Sequence, residues 1–583
     1  MDPRRAWSYF DVFLSYRRDH ASEAQSVRTV LKQRGYRVFL DVRDLKAGYF
    51  DEDLVRVIQR SANVVCLLTP GSLERCDQPG DWVRRELEVA FEERKNLVLV
   101  NYGHEPEWTG RDLPASLARL PMRNFVSFQH DYFDAFIEKL CSQLEPTAAQ
   151  LAAAEFADLD DNARNPEYRA WQCEVLQEIY GDLARQAAGE PGVDFFPRIA
   201  GERYPVFTLR ASGDDQPFEH EFIAPDPPIQ RSVQELPDLA SEDPLPSWVV
   251  AEPGGADRCH YFELLAATRR VRRWNMRGFA LRTMRLDAAM RVTSMTAELC
   301  TYGENCLTSH LLGYRMLKAF TGGRNAAACR EGRPQLHWRR DAATGRTVEV
   351  GFDASADFHP LISVQALVVY RDRFKGNKWH VVAMKRAGQL AAAVGFWQFP
   401  PAGGFEIYGN EKDEDEHVAS QFDMRWAILR EFLEEIYGDP DMACEIPEAA
   451  SGDQSGSRGY RRMMDAVLGG GLKIHLLGVV MELVGLRSEF SFLIVMEDRE
   501  LFDLSYEVAM PNNQKRTVKW LFHGGLETDR LLPLRVDGLG ETIQDKTWNP
   551  SSIAMLKLLA DLSLDRQSWL VSQYPDFPEV HLP

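Results

Sequence analysis

Four short apolar runs recur between residues 9 and 145: "DVFLSY" (11–16), "RVFLDV" (37–42), "NVVCLLT" (63–69) and "NLVLVNY" (96–102). Amphipathic stretches of helical pattern separate them. That alternation is the signature of a parallel sheet wrapped by helices, because parallel strands need long crossovers between them. It commits the first quarter of the chain to an α/β unit. In open sheets of this kind ligands bind beyond the carboxyl ends of the strands, so the residues just past each run are the first candidates for a site.

A chain of 583 residues is too long for one core, and implies about three or four domains. Residues 146–189, rich in Ala and Glu, read as a helical connector ending near Gly189 and Pro191. Residues 190–357 form a middle α+β region, either separate or an extension of the C-terminal unit. Residues 358–583 make that C-terminal unit, returning to strands, a glycine turn, an acidic loop, a helix and more strands. The formal charge of −19 argues against generic nucleic-acid binding, which needs clustered Lys and Arg. The nine cysteines are scattered without a C-x-x-C pair, so neither a zinc knuckle nor a disulfide framework is expected. The opening residues lack the apolar core of a signal peptide, and "IHLLGVVMELVGL" (474–486) is too short to span a bilayer. A cytoplasmic protein without membrane contact is the expectation.

Three stretches carry a resemblance: "FDVFLSYRRD", "GYRVFLDVRDLKAGYFDEDLVRVIQRSANVVCLLTPGSLERC" and "DWVRRELEVAF". In order and without large gaps, residues 10–100 resemble a TIR domain, closest to the NAD-consuming branch of bacterial TIR effectors and SARM-type enzymes. The resemblance implies a flavodoxin-like parallel sheet, NAD+ as substrate, and activation by self-association through the TIR domains. Cleaving the ribosyl–nicotinamide bond develops positive charge on the ribose, which a carboxylate beneath the ring stabilises. In that family the carboxylate follows a Trp by four positions, and Trp82 and Glu86 keep this spacing, on one helix face. Glu86 is therefore the candidate catalytic residue. An isolated helix glutamate would ordinarily be a solvated surface residue; the TIR frame points to catalysis instead. Resemblance also implies that Tyr16, Arg17, Arg18 and Phe50, with Trp82, line the NAD+ pocket, arginine suiting the pyrophosphate. The alternatives for Arg17 and Arg18 are surface ion pairs, and for Tyr16 a place in the core. Inert TIR adaptors exist as well, so a scaffold is the competing reading.

"GFWQFPPAGGFEIYGNE" (395–411) followed by "AILREFLEE" (427–435) resembles a Nudix domain, an α/β/α sandwich with the signature G-x5-E-x7-R-E-U-x-E-E-x-G-U, U being a bulky aliphatic. Gly403 and Gly404 supply the turn and Arg430 the motif arginine. Glu431, Glu434 and Glu435 stand at i, i+3 and i+4 on one helix face, able to gather oxygen ligands for Mg2+. The departures are specific. Gly404 and Arg430 are twenty-six positions apart against fourteen in the signature, the first Glu falls on Asn410, and Tyr437 is inserted before Gly438. The altered spacing fits binding of a nucleotide ligand at least as well as its hydrolysis. A near-copy, "EVLQEIYGD" (174–182), repeats seven of nine positions of Glu431–Asp439 but lacks the arginine and the glycine turn. It reads as a plain helix with Gly181 as its C-terminal stop.

"RRVRRWNMRGFALRTMR" packs seven arginines into residues 269–285. Trp274 and Phe279 could stack a base there, although ion pairing with the acidic loops at 235–244 or 411–416 is the simpler expectation. His310 in "TYGENCLTSH" reads as structural. Taken with the two resemblances, the chain is expected to be a defence effector of bacterial type: a TIR NAD+ nucleosidase controlled by a nucleotide-sensing Nudix-like domain. The alternatives are a bifunctional enzyme whose Nudix site cleaves ADP-ribose, and the inert scaffold.

Overall fold

A computed structural model describes residues 10–40, 57–211, 245–386, 395–407, 422–436, 465–497 and 531–582 apart from gaps of one to five residues, together with a few isolated short segments between these spans. The chain divides into two compact units, Met1–Glu155 and Phe156–Pro583.

The first unit is built on five parallel strands: β1 (Val12–Ser15), β2 (Val38–Phe39), β3 (Asn63–Leu68), β4 (Asn96–Asn101) and β5 (Phe125–Ser127). Their order is β2-β1-β3-β4-β5, the flavodoxin-like arrangement. The four apolar runs supply the first four strands; the short β5 carries no such run. Helices α1 (Ala21–Gln33) and α3 (Phe133–Gln143) cover one face, and α2 (Trp82–Glu92) covers the other. The period of two along each strand sorts the side chains. Val12 and Leu14 pack with Val27, Leu31 and Ile137, while Phe13 and Cys66 pack with Val83 and Leu87 of α2.

Helix α4 (Ala148–Ala163) contains the boundary between units, and α5 (Pro166–Ala187) follows it. The start of α5 is specified locally: the Asn165 side chain accepts from Glu167 N–H at 2.9 Å, with Pro166 in the first turn. Gly181 does not stop this helix, which runs on to Ala187. The expectation of a glycine cap fails because tertiary packing outweighs the roughly 1 kcal/mol that a mid-helix glycine costs. Tyr180 is buried beside it and accepts from Arg333 Nε at 2.9 Å.

The second unit holds two larger sheets. A mixed sheet is ordered β14-β13-β12-β17-β16-β7-β6, with β15 beside β12 and β18 beside β13. These are β6 (Val193–Phe195), β7 (Val206–Arg210), β12 (Ser363–Asp372), β13 (Lys378–Lys385), β14 (Trp397–Gln398), β15 (Ala402–Gly404), β16 (Leu472–Glu482), β17 (Arg487–Met496) and β18 (Leu531–Arg535). Only β12 and β17 run parallel along this path. The other sheet contains β8 (Arg277–Leu286), β9 (Val292–Thr301), β10 (Leu336–Arg340) and β11 (Thr347–Phe352), paired antiparallel. Residues 277–279 of β8 also run alongside 405–407, where a Cβ on Gly278 would lie 2.8 Å from Phe405 O. The middle region is thus hydrogen-bonded into the same unit as the C-terminal strands. Helix α8 (Pro550–Leu564) buries Ile553, Leu556 and Leu559 against Leu367, Val381, Leu493 and Val495. Helix α7 (Met424–Glu431) packs on β12 and β15 with Ile428 and Leu429, and Phe432 just past its end, buried outside that core.

Trp274 and Phe279 are buried, Trp274 against Phe262 and Phe279 against Phe405 and Phe422. Neither can stack a base. Within the arginine-rich segment Arg282 pairs with the buried Glu298, which also holds His359 Nδ1 at 2.7 Å. The acidic loops expected as its partners lie outside the described residues, apart from Leu236, Pro237 and Leu239.

Candidate active site

The end of β1 distributes "SYRR" by strand geometry. Ser15 and Arg17 are buried, Tyr16 packs on the opposite core with α1 and α3, and Arg18 is exposed in a short turn. The alternation that sets Phe13 toward α2 sets Ser15 and Arg17 the same way.

Arg17 is engaged inside the protein. Its Nε donates to Ser72 O at 2.7 Å, and its two terminal nitrogens donate to Asp81 at 2.5 and 3.0 Å. The second of them also lies 3.6 Å from Cys76 Sγ. Asp81 is the N-cap of α2, accepting from Arg84 N–H at 3.0 Å. Burial pushes the Asp81 carboxyl up, but the Arg17 guanidinium and the Arg84 N–H outweigh it and leave it below the usual carboxylate range. The family resemblance assigns Arg17 to the pyrophosphate of NAD+; in the structure it clamps the start of α2 to the end of β1.

That clamp positions Glu86, one turn into α2. Glu86 as a residue is half-buried, yet its Oε2 is closed to solvent and has no hydrogen-bond partner. Burial pushes its carboxyl up to about 7; Ser15 and Arg17 pull the other way, and Asp81 adds to the rise. The Ser15 hydroxyl is near enough to act on the carboxylate without completing a hydrogen bond, and Ser15 Oγ is itself buried and unsatisfied. Cys66 and Cys76 border the same spot, each held at about 12 chiefly by burial, so both stay neutral thiols. Trp82 is 42% exposed at the mouth of the helix. Phe50 lies outside the described residues.

Thr69 Oγ1, Ser72 Oγ and Tyr102 Oη are further buried polar atoms without a hydrogen-bond partner. With Ser15 they follow the carboxyl ends of β1, β3 and β4, which the register places side by side. Unmet polar atoms at this edge fit a polar ligand. Ser15, Asp81 and the two cysteines were missed from sequence. Ser15 alone had a signal, standing two residues before Arg17 on the same strand face.

In the second unit the structure brings Gly403, Gly404, Arg430, Glu431 and Glu435 together. Arg430 donates to Gly404 O and Glu406 O, both at 3.1 Å, and pairs with Glu431 at 2.9 Å. Glu435 Oε2 accepts from Ala402 N–H at 2.9 Å. Glu431 closes the α-helix, and Phe432–Ile436 continue as a π-helical turn rather than the regular helix expected. The side chain of Glu434 lies outside the described residues. Carboxylates are the right donors for Mg2+, but Glu431 and Glu435 already serve protein donors. Among the described residues no group of three or more His, Cys, Asp or Glu is disposed to hold a metal. Among the described residues a complete Mg2+ site is not assembled. No described helix is long and apolar enough to cross a membrane.

Residues 12–141 match the TIR domain family, which agrees with the sheet order. The TIR domain is related to NAD+ hydrolases. It is 38% identical over 135 residues to NAD(+) hydrolase tir-1 of Caenorhabditis elegans, covering 22% of this chain and 14% of that protein. NAD(+) hydrolase SARM1 of Danio rerio is 36% identical over 145 residues, covering 24% of this chain and 20% of that protein. The matched part is thus a small fraction of either relative's length. A crystal structure of a NUDIX hydrolase from Alicyclobacillus acidocaldarius aligns with 34% of this chain and 91% of its own, at 14% identity and a TM-score of 0.18. That likeness is too loose to carry a residue or a substrate across.

Proposed function

We propose that the TIR domain is an NAD+ nucleosidase with Glu86 as its catalytic carboxylate, and that the second unit is a nucleotide sensor governing its assembly. The supporting observation is the Glu86 carboxylate, with one oxygen sealed and without a hydrogen-bond partner and the group raised to about 7 near the ligand edge of the sheet. The nicotinamide of NAD+ leaves as a neutral base, taking the bonding electron pair with it. No acid is needed for departure, so a single carboxylate suffices. Ionised Glu86 stabilises the oxocarbenium ion left on the ribose. Water then adds to the anomeric carbon and releases a proton, giving ADP-ribose; attack from within the adenine ring gives the cyclic form. The charged nicotinamide ring itself favours the ionised carboxylate once NAD+ is bound.

The sensor reading rests on the Nudix-like arrangement at Gly403, Gly404 and Arg430. The commitment of Glu431 and Glu435 to protein donors favours binding over hydrolysis there. Purified full-length protein incubated with NAD+, with and without candidate nucleotides, tests both halves by mass spectrometry of the products. Nicotinamide release that depends on an added nucleotide and vanishes in Glu86→Gln is the expected result. Release by Glu86→Gln at the wild-type rate removes Glu86, and release indifferent to every nucleotide removes the sensor. AMP formation lost in Glu434→Gln with Glu435→Gln would instead establish hydrolysis at the second site.

A further inference from the structure

Ser15 and Glu86 each hold a buried oxygen without a hydrogen-bond partner, and the fold sets the two residues level. Arg17 fixes the point of reference, bonding Asp81 at the start of α2. Helix α2 joins the parallel strands β3 and β4, so it runs back from the carboxyl end of the sheet, against the direction of β1. Two residues back from Arg17 along β1 is Ser15, a step of about 6.6 Å. Five residues on from Asp81 along α2 is Glu86, a step of about 7.5 Å. The two steps run the same way and nearly match. The side chains also share a side. Ser15, like Phe13 and Arg17, faces α2, and Glu86 stands three residues after Val83, which packs in one core with Phe13 and Cys66. Cys66 of β3 is the neighbour of Ser15 in register, and its thiol responds to both Ser15 and Glu86.

Among the described residues the charged and titratable groups bearing on Glu86 are Arg17 at the end of β1, Asp81 at the start of α2 and Cys66 on β3. None of them donates to the sealed oxygen. Arg17 commits its nitrogens to Ser72 and Asp81 and acts on Glu86 through its charge. Asp81 is an anion, and Cys66 is a weak donor, a neutral thiol held up at about 12. Of the groups around Glu86, the Ser15 hydroxyl is the remaining strong donor, and it is buried with no acceptor of its own. A buried donor and a buried acceptor left apart are each costly, and one bond between them relieves both. That bond is stronger to a carboxylate than to a neutral acid, so the ionised form makes it.

We propose that Ser15 is the positioning residue of Glu86: its hydroxyl donates to the ionised carboxylate and holds it in the orientation that meets the charge developing on the ribose of NAD+. The proposal deepens the nucleosidase reading and rests on it. In this role Ser15 touches neither the substrate nor the bond that breaks. It restricts the carboxylate to one orientation, and it favours the ionised form against the burial that opposes it.

Ser15→Ala and Ser15→Thr in the full chain, each with and without Glu86→Gln, test the assignment. Nicotinamide release is followed from pH 5 to pH 9. In Ser15→Ala the rising limb of kcat/KM should move up by about one pH unit, the effect of one charge-assisted hydrogen bond, and kcat should fall with KM unchanged. Ser15→Thr keeps the hydroxyl and should keep the wild-type inflection. Denaturant unfolding supplies a readout that needs no turnover. Removing the donor raises the folded-state pKa of Glu86 further above its unfolded value, so more stability is lost as pH rises through it. Ser15→Ala should therefore lower the unfolding midpoint of the TIR unit more at pH 8 than at pH 5, and this difference should vanish beside Glu86→Gln. A Ser15→Ala profile that scales onto wild type at every pH overturns the positioning role. So does a pH-dependent loss that persists in the Glu86→Gln background. Absence of nicotinamide release by wild type with every nucleotide tried overturns the NAD+ reading alone, and the unfolding cycle still decides whether Ser15 serves Glu86.

Discussion

Glutamates on the helices of the two units do opposite things in this molecule. Glu86 of the first unit has a sealed oxygen that no protein group meets, and its carboxyl rises to about 7. Glu431 and Glu435 of the second unit are nearly buried too, yet each is held by a neighbour, Arg430 in one case and the Ala402 N–H in the other. An unmet carboxylate is destabilising unless a ligand uses it; a met one is part of the scaffold. Conformity to a motif does not separate these cases, since both lie in recognisable patterns. Hydrogen-bond accounting does.

The largest effect belongs to the unmet group. Glu86→Gln should cut nicotinamide release on the order of a thousandfold or more, read by product chromatography. Next comes its support. Asp81→Asn leaves Arg17 buried without a counter-charge, and removing one partner of such a pair costs about 3–5 kcal/mol. The unfolding midpoint of the TIR unit should fall accordingly, and kcat should drop more than KM rises, because α2 loses its anchor rather than the substrate a contact. Arg17→Met combined with Asp81→Leu should recover part of the lost stability. Should Arg17→Lys raise KM with stability and kcat intact, Arg17 is a substrate ligand after all and the clamp reading is wrong.

These variants also show how much was legible in the chain. The four apolar runs carried the sheet of the first unit, because a doubly covered strand writes its burial directly into sequence. Trp82 and Glu86 were visible as a spaced pair. The contacts of Arg17 were not visible, because its partners Ser72, Cys76 and Asp81 are fifty-five to sixty-four positions away and an arginine looks alike whether it awaits a phosphate or holds a helix. The continuation of α5 through Gly181 was hidden for a similar reason: Arg333 and Tyr180 meet across 153 positions. In the second unit the glycine turn and the helix were readable as a motif. The parallel pairing of β12 with β17 belongs to no local pattern, since a sheet brings together what the sequence separates.

A third test sets the cost of Glu86 against its use. A carboxyl raised from 4.5 to about 7 on folding is protonated more readily in the folded state. Stability is therefore lost as pH rises from about 4.5 through 7, by at most about 3 kcal/mol. Glu86→Gln should stabilise the TIR unit at pH 8 and change it little at pH 4.5, measured by denaturant unfolding. Activity should run the other way, since the ionised form acts: kcat/KM rises about tenfold per unit toward a plateau above pH 7. The apparent pKa in kcat should sit lower than that in kcat/KM, because the bound nicotinamide cation favours ionisation. A flat profile between pH 5 and 8 would remove the raised carboxyl from the mechanism.

The smallest effect tests the met carboxylates. A Cβ on Gly403 would come within 2.1 Å of the Glu431 carboxylate, so Gly403→Ala must displace either the carboxylate or the strand. Overpacking of this kind costs about 1–3 kcal/mol, and it should appear in the unfolding of the second unit with the TIR transition unmoved. Relief then identifies what had to move. If the carboxylate gives way, Gly403→Ala with Glu431→Ala is more stable than the sum of the two single changes predicts, since the crowding is removed with the side chain. If the strand gives way instead, the double variant is no better than additive. The sign of that coupling decides whether the Glu431 side chain or the strand β15 yields at the glycine turn.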